Sequence, residues 1–322
     1  MSFISVSLSI LIVNWNSRDY LRKCLETVRA TCADLVPQVV VVDGGSFDGC
    51  VEMLAVEFPE VEFVQSPDNI GFGRSNNLGF HRVTGEVLLL LNPDTELKPG
   101  ALRSLLVQLA ELPQAGLLGP RLLNANGTLQ TSCVQALPTP LNQFLDLDFL
   151  RRRFPQWALW GNREAFAARQ PVPVEAVSGA CMLLHAETFR QLGGFASHFF
   201  MYGEDLDLCA RVRAAGRKVY HVPGAEVIHH GGGSSGGTFS KFSTVLMRQS
   251  VFLFIRSHQG RIAACAYRLL MALSAGLRVL LLAPACCLVG GRSSGSRFPA
   301  LRKWFSVLRW SVGGERWVRK YA

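Results

Sequence analysis

The 322-residue chain has no Cys-x-x-Cys pair among its nine cysteines and no cysteine or histidine spacing of the zinc-site kind. That argues against a structural zinc module and a disulfide framework. The cysteine count is odd and most thiols sit in apolar runs, so they read as buried, reduced thiols. No short-period repeat is present, which excludes a solenoid. The first residues, MSFISVSLSI, lack a basic segment and a small-residue cleavage site. They read as a first β-strand rather than a signal peptide. Acid is almost missing from one region: residues 241–322 hold 14 Lys/Arg and a single acid, Glu315. The preceding 240 residues carry 19 bases and 23 acids. A mildly acidic body therefore carries a strongly basic tail, which points to an anionic surface as partner. With 49% hydrophobic and 18% charged residues, the chain is not disordered.

Strand and helix patterns alternate over the first 120 residues. Leu8–Val13 is a short apolar run of the doubly buried kind, Val39–Val42 is pure β-branched, Val61–Val64 reads as a strand, and Glu86–Leu91 is fully apolar after its first residue. Ser17–Ala30, Asp48–Phe58, Gly73–Val83 and Lys98–Leu109 have helical periodicity. This βαβα order predicts a parallel sheet with helices on both faces and ligands at the carboxyl ends of strands. Residues 133–173, rich in Pro, Phe, Trp and Arg with Arg151-Arg152-Arg153, read as an excursion beside the site. Residues 174–184 return to strand-like apolarity, Glu204–Ala214 forms an amphipathic helix, and Val219–Val222 and Ala225–His229 are short strands. His230–Gly237, mostly Gly and Ser, reads as a flexible loop able to close over a ligand. In the tail, Arg268, Arg278 and Pro284 interrupt an apolar stretch over 262–290, leaving too little for an ordinary span of about 20 residues. Interfacial helices with arginines reaching headgroups are expected, supported by Trp304, Phe305, Trp310 and Trp317.

Five places could carry chemistry. Asp43 ends a buried strand in a Gly-Gly-Ser turn, where it either binds a base or ribose or shapes the turn. Asn69-Ile-Gly-Phe-Gly-Arg-Ser-Asn-Asn opens a helix: Gly71 and Gly73 permit close approach, Arg74 can pair with phosphate, and the helix start favours an anion. Its glycine spacing is not that of a dinucleotide fold. Asp94 follows a strand and is either a Mg²⁺ or Mn²⁺ ligand or a helix cap. Glu204-Asp205-x-Asp207 places three acids at a helix start, more than capping needs, and suits a general base. His229-His230 ends a strand and can ligate a metal or serve structure.

In this order the motifs resemble glycosyltransferase family 2, over roughly residues 6–240. They are Ile10-Leu-Ile-Val-Asn-Trp-Asn-Ser, Val41-Val-Asp-Gly-Gly-Ser-Phe-Asp-Gly, Asn69-Ile-Gly-Phe-Gly-Arg-Ser-Asn-Asn, Leu91-Asn-Pro-Asp-Thr-Glu, Gly193-Gly-Phe, Tyr202-Gly-Glu-Asp-Leu-Asp-Leu-Cys and Val227-Ile-His-His-Gly-Gly-Gly-Ser-Ser. They look most like the rhamnosyltransferase branch that builds bacterial surface polysaccharides. The resemblance implies a GT-A fold, a Rossmann-like α/β architecture with a mostly parallel sheet flanked by helices. It implies a catalytic domain over 1–240 and a helical membrane-association tail over 241–322. It assigns Asn14, Asp43, Asn69, Gly71, Arg74, Asn77 and Asp94 to the nucleotide. Asp94 and His229, with His230 in reserve, would hold Mg²⁺ or Mn²⁺. Asp205 would be the catalytic base, supported by Glu204 and Asp207. The family's DxD motif departs here, since Asn92 replaces its first acid.

The implied reaction is an inverting transfer from a nucleotide-sugar donor, leaning to dTDP-rhamnose, to a hydroxyl of a lipid-linked glycan acceptor. The implied location is the cytoplasmic face of the plasma membrane, peripheral or monotopic. A UDP- or GDP-sugar donor is one alternative, and a non-catalytic membrane-bound nucleotide-binding scaffold is another. A nucleotidyltransferase lacks its Gly-rich loop, because Asn14-Trp-Asn-Ser follows the first strand. Nucleic acid is not expected as a partner, because the body offers no basic patch to match the tail.

Overall fold

A computed structural model describes residues 6–32, 34–231, 240–288 and 297–321. The expected loop at 232–237 and the last residues of the 262–290 stretch lie outside the described residues. The strands are β1 (Leu8–Asn14), β2 (Gln38–Asp43), β3 (Glu62–Gln65), β4 (Val87–Leu91), β5 (Thr95–Leu97), β6 (Ala115–Leu123), β7 (Val134–Gln135), β8 (Val172–Val174), β9 (Ala176–Val177), β10 (Cys181–His185) and β11 (Lys218–His229). The helices are α1 (Arg18–Thr31), α2 (Cys50–Glu57), α3 (Phe72–Phe80), α4 (Ala101–Glu111), α5 (Pro140–Phe144), α6 (Asp148–Arg153), α7 (Arg163–Ala167), α8 (Ala186–Gln191), α9 (Glu204–Ala214), α10 (Lys241–Leu288) and α11 (Arg297–Ser311).

The chain divides into two compact units. The first holds residues up to 137, 156–197 and those from 204 through the end of β11. Its main sheet runs β3-β2-β1-β4-β10-β6-β11-β5, with β8 added beside β11. The expected parallel arrangement holds for β3, β2, β1 and β4 and for the pair β6 and β11. β10 and β5 run antiparallel to their neighbours, so the sheet is mixed. β6 is the strand that the hydrophobic pattern hides, since Gly116, Gly119, Pro120 and Arg121 interrupt its apolar run. Residues 218–229 form one 12-residue strand with a bulge between Val222 and Glu226, not two.

β1 and β4 are buried on both faces, which explains their unbroken apolar runs. Each fully buried Leu or Ile there contributes about 1.5–3 kcal/mol. α3 lies directly on this sheet: a Cβ at Gly79 would come within 2.5 Å of Leu11 and Val42. Only glycine allows that approach, which seats the last turn of α3 on Leu11 of β1 and Val42 of β2. Six cysteines (24, 32, 50, 133, 181 and 209) are buried and free, as expected. Burial pushes the thiols of Cys24 and Cys209 up to about 12, so they stay protonated and inert.

The second unit takes in residues 138–155 and 198–203 as well as the tail, so it is larger than the segment expected beyond residue 240. α10 holds α5 through Gln259, which donates to the Pro138 carbonyl at 2.6 Å, and through Arg248, which reaches Gln143 at 3.4 Å. Ser250 fastens the other short segment by donating to the Met201 carbonyl at 2.9 Å. α10 breaks at Gly260, where φ is 89°. Its second half packs on α11 through Tyr267, Met271 and Ala275 against Val307 and Trp310, all buried. Arg268 and Arg278 do not point outward as expected. Arg268 donates to the Trp310 carbonyl at 2.9 Å, and the Arg278 guanidinium lies 3.8 Å above the Trp304 ring. Glu315, the tail's single acid, is buried and paired with Lys241 and Arg309 at 2.9 and 3.2 Å.

Candidate active site

Strand register gathers the candidate residues of the first unit. Ile12 of β1 and Cys181 of β10 both oppose Leu91, the last residue of β4. Asn14 opposes Asp43 across β1 and β2. The ends of β1, β2 and β4 and the turn before β10 therefore form one continuous rim.

Asp43 is fully buried in that rim. Its carboxylate accepts from Asn14 Nδ2 at 2.9 Å, Ser46 Oγ at 2.6 Å, the Ser46 and Gly45 amides at 2.8 and 3.0 Å, and Gln65 Nε2 at 3.2 Å. Burial pushes the carboxyl upward, but the hydrogen bonds from Ser46, Asn14 and Gln65 outweigh it, and its pKa lies below the usual carboxylate range. The same side chain thus shapes the turn and carries a fixed charge at the rim. Ser46 also ties in the β1 loop by accepting from the Asn16 amide at 2.8 Å. Trp15 and Phe47 stand exposed on these two loops and offer aromatic faces. Sequence spacing did not single out Ser46, Gln65 or this aromatic pair.

Asp43→Asn should cost roughly 2–4 kcal/mol of stability, because an amide places donors against donors. The sign of its pH dependence follows from the depressed pKa. The carboxylate's contribution is complete above the unfolded value of about 3.9 and is lost as pH falls through the folded one. Denaturant melts should therefore show a gap between wild type and variant at pH 7 that narrows below about pH 4. A gap that widens in acid would contradict this account.

At the start of α3, Asn69 Oδ1 accepts from the Gly71 amide at 3.1 Å, and Gly71 has φ 91°, a conformation suited to glycine. Arg74 is exposed, with its Nε bound to the Ser197 carbonyl at 2.7 Å. Asn77 is spent on structure. Its amide donates to the Phe195 carbonyl and accepts from the Phe195 amide, both at 2.8 Å. It anchors the Gly193-Gly194-Phe195 turn rather than presenting its side chain to a ligand.

β4 ends in Asn92-Pro93-Asp94, and β5 pairs with the end of β11, bringing Thr95 opposite His229. His229 Nε2 lies 3.3 Å from Asp94 Oδ1. On its other side, His229 Nδ1 is 2.7 Å from Gln130 Oε1. The Gln130 amide nitrogen donates to Asn124 Oδ1 and to the His229 carbonyl, which assigns Oε1 as the acceptor. That network puts a proton on Nδ1 and leaves Nε2 facing Asp94 Oδ1. His230 points the other way, as successive strand residues must, with Nε2 2.6 Å from Glu96 and its ring against Tyr20. Asn92 Oδ1 is a buried acceptor with no hydrogen-bond partner among the described residues. Among the described residues, no group of three or more His, Cys, Asp or Glu side chains could hold a metal. Asp94 and His229 supply two donors of the right chemistry, and their remaining ligands would come from phosphate oxygens and water.

The small β7 and β9 ribbon holds the Ser178-Gly179-Ala180 turn, with the Ser178 amide on the Cys133 carbonyl at 3.2 Å. Ala180 in turn accepts from the Asn92 amide at 2.9 Å. Gly179 donates to Asp205 Oδ2 at 3.0 Å. Asp205, at the start of α9, is thereby tied to the turn whose Ala180 carbonyl holds the Asn92 amide at the end of β4. Glu204 is buried next to it. Asp207 pairs with Arg211 at 2.7 Å, and Arg211 also binds the Leu192 carbonyl at 2.8 Å, so Asp207 positions the helix.

A family model described as glycosyl transferase family 2 matches residues 9–191, and one described as N-terminal domain of galactosyltransferase matches residues 163–231. The chain is 28% identical over 243 residues to an N-acetylglucosaminyl-diphospho-decaprenol L-rhamnosyltransferase of Mycobacterium tuberculosis, covering 71% of this chain and 78% of the relative. It is 24% identical to rhamnosyltransferase WbbL of Escherichia coli (strain K12), covering 72% and 86%. Among solved structures, a mannosyltransferase from Pyrobaculum calidifontis in complex with GDP-Man and Mn²⁺ superposes with TM-score 0.59 at 15% identity, covering 96% of this chain and 87% of that one. GalNAc-T7 with UDP, GalNAc and Mn²⁺ gives 0.55 at 16% identity, covering 71% of this chain and 44% of that longer one. The expected GT-A fold is borne out, and the chain is a glycosyltransferase that belongs to glycosyltransferase family 2.

Proposed function

We propose that the protein transfers a sugar, leaning to L-rhamnose from dTDP-rhamnose, from a nucleotide donor to a hydroxyl of a lipid-linked glycan in cell-surface polysaccharide synthesis. The observation that carries this reading is the convergence of Asp94, His229 and the Gly179-held Asp205 on one end of β4. The rhamnosyltransferase relatives support the sugar, and the diphospho-decaprenol in one relative's name supports the lipid-linked acceptor. Such an acceptor supports a location at the membrane, in this reading the cytoplasmic face of the plasma membrane.

Asn14 and the Asp43 turn position the base, with Trp15 and Phe47 beside it for stacking. Arg74 and the α3 N-terminus face the donor's negative charge. Asp94 and His229 are the residues that would hold Mg²⁺ or Mn²⁺, whose chemistry there is to neutralise charge on the departing diphosphate. His229 Nε2 and the adjacent Asp94 carboxylate fit a cation. Asp205 removes the proton from the acceptor hydroxyl as that oxygen attacks the anomeric carbon. The bond from that carbon to the diphosphate oxygen breaks, and its electron pair leaves with the nucleotide. This single displacement inverts the anomeric centre.

A thermal-shift panel with dTDP, UDP and GDP, each with and without Mg²⁺ or Mn²⁺, tests the reading. A nucleotide at about 100 times its dissociation constant should stabilise the fold by roughly 2.7 kcal/mol. A metal-dependent shift names the donor class. A folded protein that responds to none of them would instead be a non-catalytic scaffold.

Gln130 gives a separate expectation. Gln130→Leu removes the acceptor that holds the His229 tautomer, and should weaken Mn²⁺ binding about 10–100-fold in electron paramagnetic resonance titrations with nucleotide present. Gln130→Glu keeps the acceptor and should restore most of the affinity. Unchanged Mn²⁺ affinity in the leucine variant would remove Gln130 from the site.

A further inference from the structure

The second half of α10 turns a charge-free face to solvent. Ile262, Leu269, Leu273, Leu277, Leu280 and Leu281 are between 58% and 88% exposed. Their spacing of three, four and seven residues places them on one side of the helix. Cys265, Ala266 and Pro284, also exposed, add no charge to it. From Ile262 to Pro284 the stripe runs about 33 Å at 1.5 Å per residue. Soluble proteins rarely leave so long an apolar surface uncovered. The sequence conceals it, because Arg268 and Arg278 interrupt the run. In the fold both guanidiniums leave this face for Trp310 and Trp304 of α11.

α11 repeats the pattern with a heptad of exposed apolar residues, Phe298, Phe305 and Val312, beside exposed Arg302 and Arg309. Glu315 is buried and neutralised, so the exposed charges of the described tail are positive. The geometry points to one occupant of the α10 stripe: the outer acyl region of an anionic bilayer, with the helix lying in the membrane plane. This inference rests on the lipid-linked acceptor reading and specifies its docking surface. α10 is long and apolar enough to cross a membrane by length and composition. Crossing would carry Arg268, Arg278 and the basic residues of the attached α11 into hydrocarbon, at about 2.5–3.5 kcal/mol for each charge at the centre. Lying flat buries the stripe and leaves those charges at headgroup level.

The test uses the full chain with Cys286 and Cys287 replaced by serine, so that Cys265 can be labelled with an environment-sensitive fluorophore. With phosphatidylglycerol–phosphatidylcholine vesicles the protein should pellet and the probe should shift to the blue. With phosphatidylcholine alone, both effects should fall. A second label at Leu280→Cys should report the same depth by lipid-quencher parallax, whereas a spanning helix would separate the two by about 22 Å. The exposed pair Leu273→Glu and Leu277→Glu should lower the vesicle partition constant about 100-fold, with an unchanged thermal midpoint. Undiminished pelleting of the pair variant, or unequal label depths, overturns the inference. So does a lipid-free dimer that the pair variant dissociates while wild type ignores vesicles, because a second copy then covers the stripe. Transfer to a water-soluble acceptor analogue should survive in the pair variant. Its absence in wild type would fail the transferase reading while leaving the vesicle result to stand or fall separately.

Discussion

Asp205→Asn is expected to abolish sugar transfer while nucleotide binding survives. The substitution removes the proposed proton acceptor but keeps an oxygen for the Gly179 amide, which now donates to Asp205 Oδ2 at 3.0 Å. A positioned base contributes on the order of 10²–10⁴-fold to rate, so turnover should fall by that factor. Donor affinity by calorimetry and the thermal midpoint should stay near wild type. Asp205 sits beside the turn that leads into β10, on the far side of β4 from Asn14 and Asp43. Joint loss of transfer and nucleotide affinity would mean that Asp205 only holds the Ser178–Ala180 turn. The base would then have to be sought elsewhere at this rim, with the buried Glu204 next in order.

Asp94→Ala is expected to erase the metal-dependent part of nucleotide binding. With Asn92 in place of an acid, Asp94 is the carboxylate left in this motif, and His229 is its neighbour at 3.3 Å. Cation stabilisation of a leaving diphosphate is worth several kcal/mol, so kcat/KM should drop roughly a thousandfold. In the thermal-shift panel the variant should respond to nucleotide equally with and without Mn²⁺. His229→Ala should show the same loss in weaker form, because a neutral imidazole gives up less charge than a carboxylate. An Asp94→Ala protein that still requires Mn²⁺ for its nucleotide shift would exclude this carboxylate as a ligand. His230→Ala provides the control. Its ring is engaged by Glu96 and Tyr20, so it should leave the metal response unchanged.

Much of the first unit was legible in the sequence because local rules govern it. Doubly buried strands must be apolar along their middles, as Ile10–Val13 of β1, Val39–Val42 of β2 and the whole of β4 are. Asp43 and Asp94 are found at strand ends because a buried carboxylate can be satisfied there by loop groups, as the Ser46 and Gly45 amides do for Asp43. β6 escaped notice since its glycines serve contacts made only in the fold: a Cβ at Gly119 would come within 2.5 Å of Val177 of β9, and one at Gly116 within 2.5 Å of Val212 of α9. Asn77 read as a ligand because an amide at a helix start suits an anion, yet Phe195, 118 residues away, consumes both ends of its amide. Gln130 left no signal at all, being 99 residues from the histidine that it orients.

The strand and helix order, the acids at strand and helix starts and the basic character of the tail follow from residue type and spacing alone, because periodicity and charge are properties of the chain itself. The choice of His229 over His230 is not of that kind. It depends on which face of β11 meets Asp94 once β5 pairs with it. The tail is the same. Its two arginines look like interruptions of an apolar run until α11 supplies Trp304 and Trp310 to hold them. Only a partner distant in sequence can remove a charge from a helix face, and that removal uncovers the stripe.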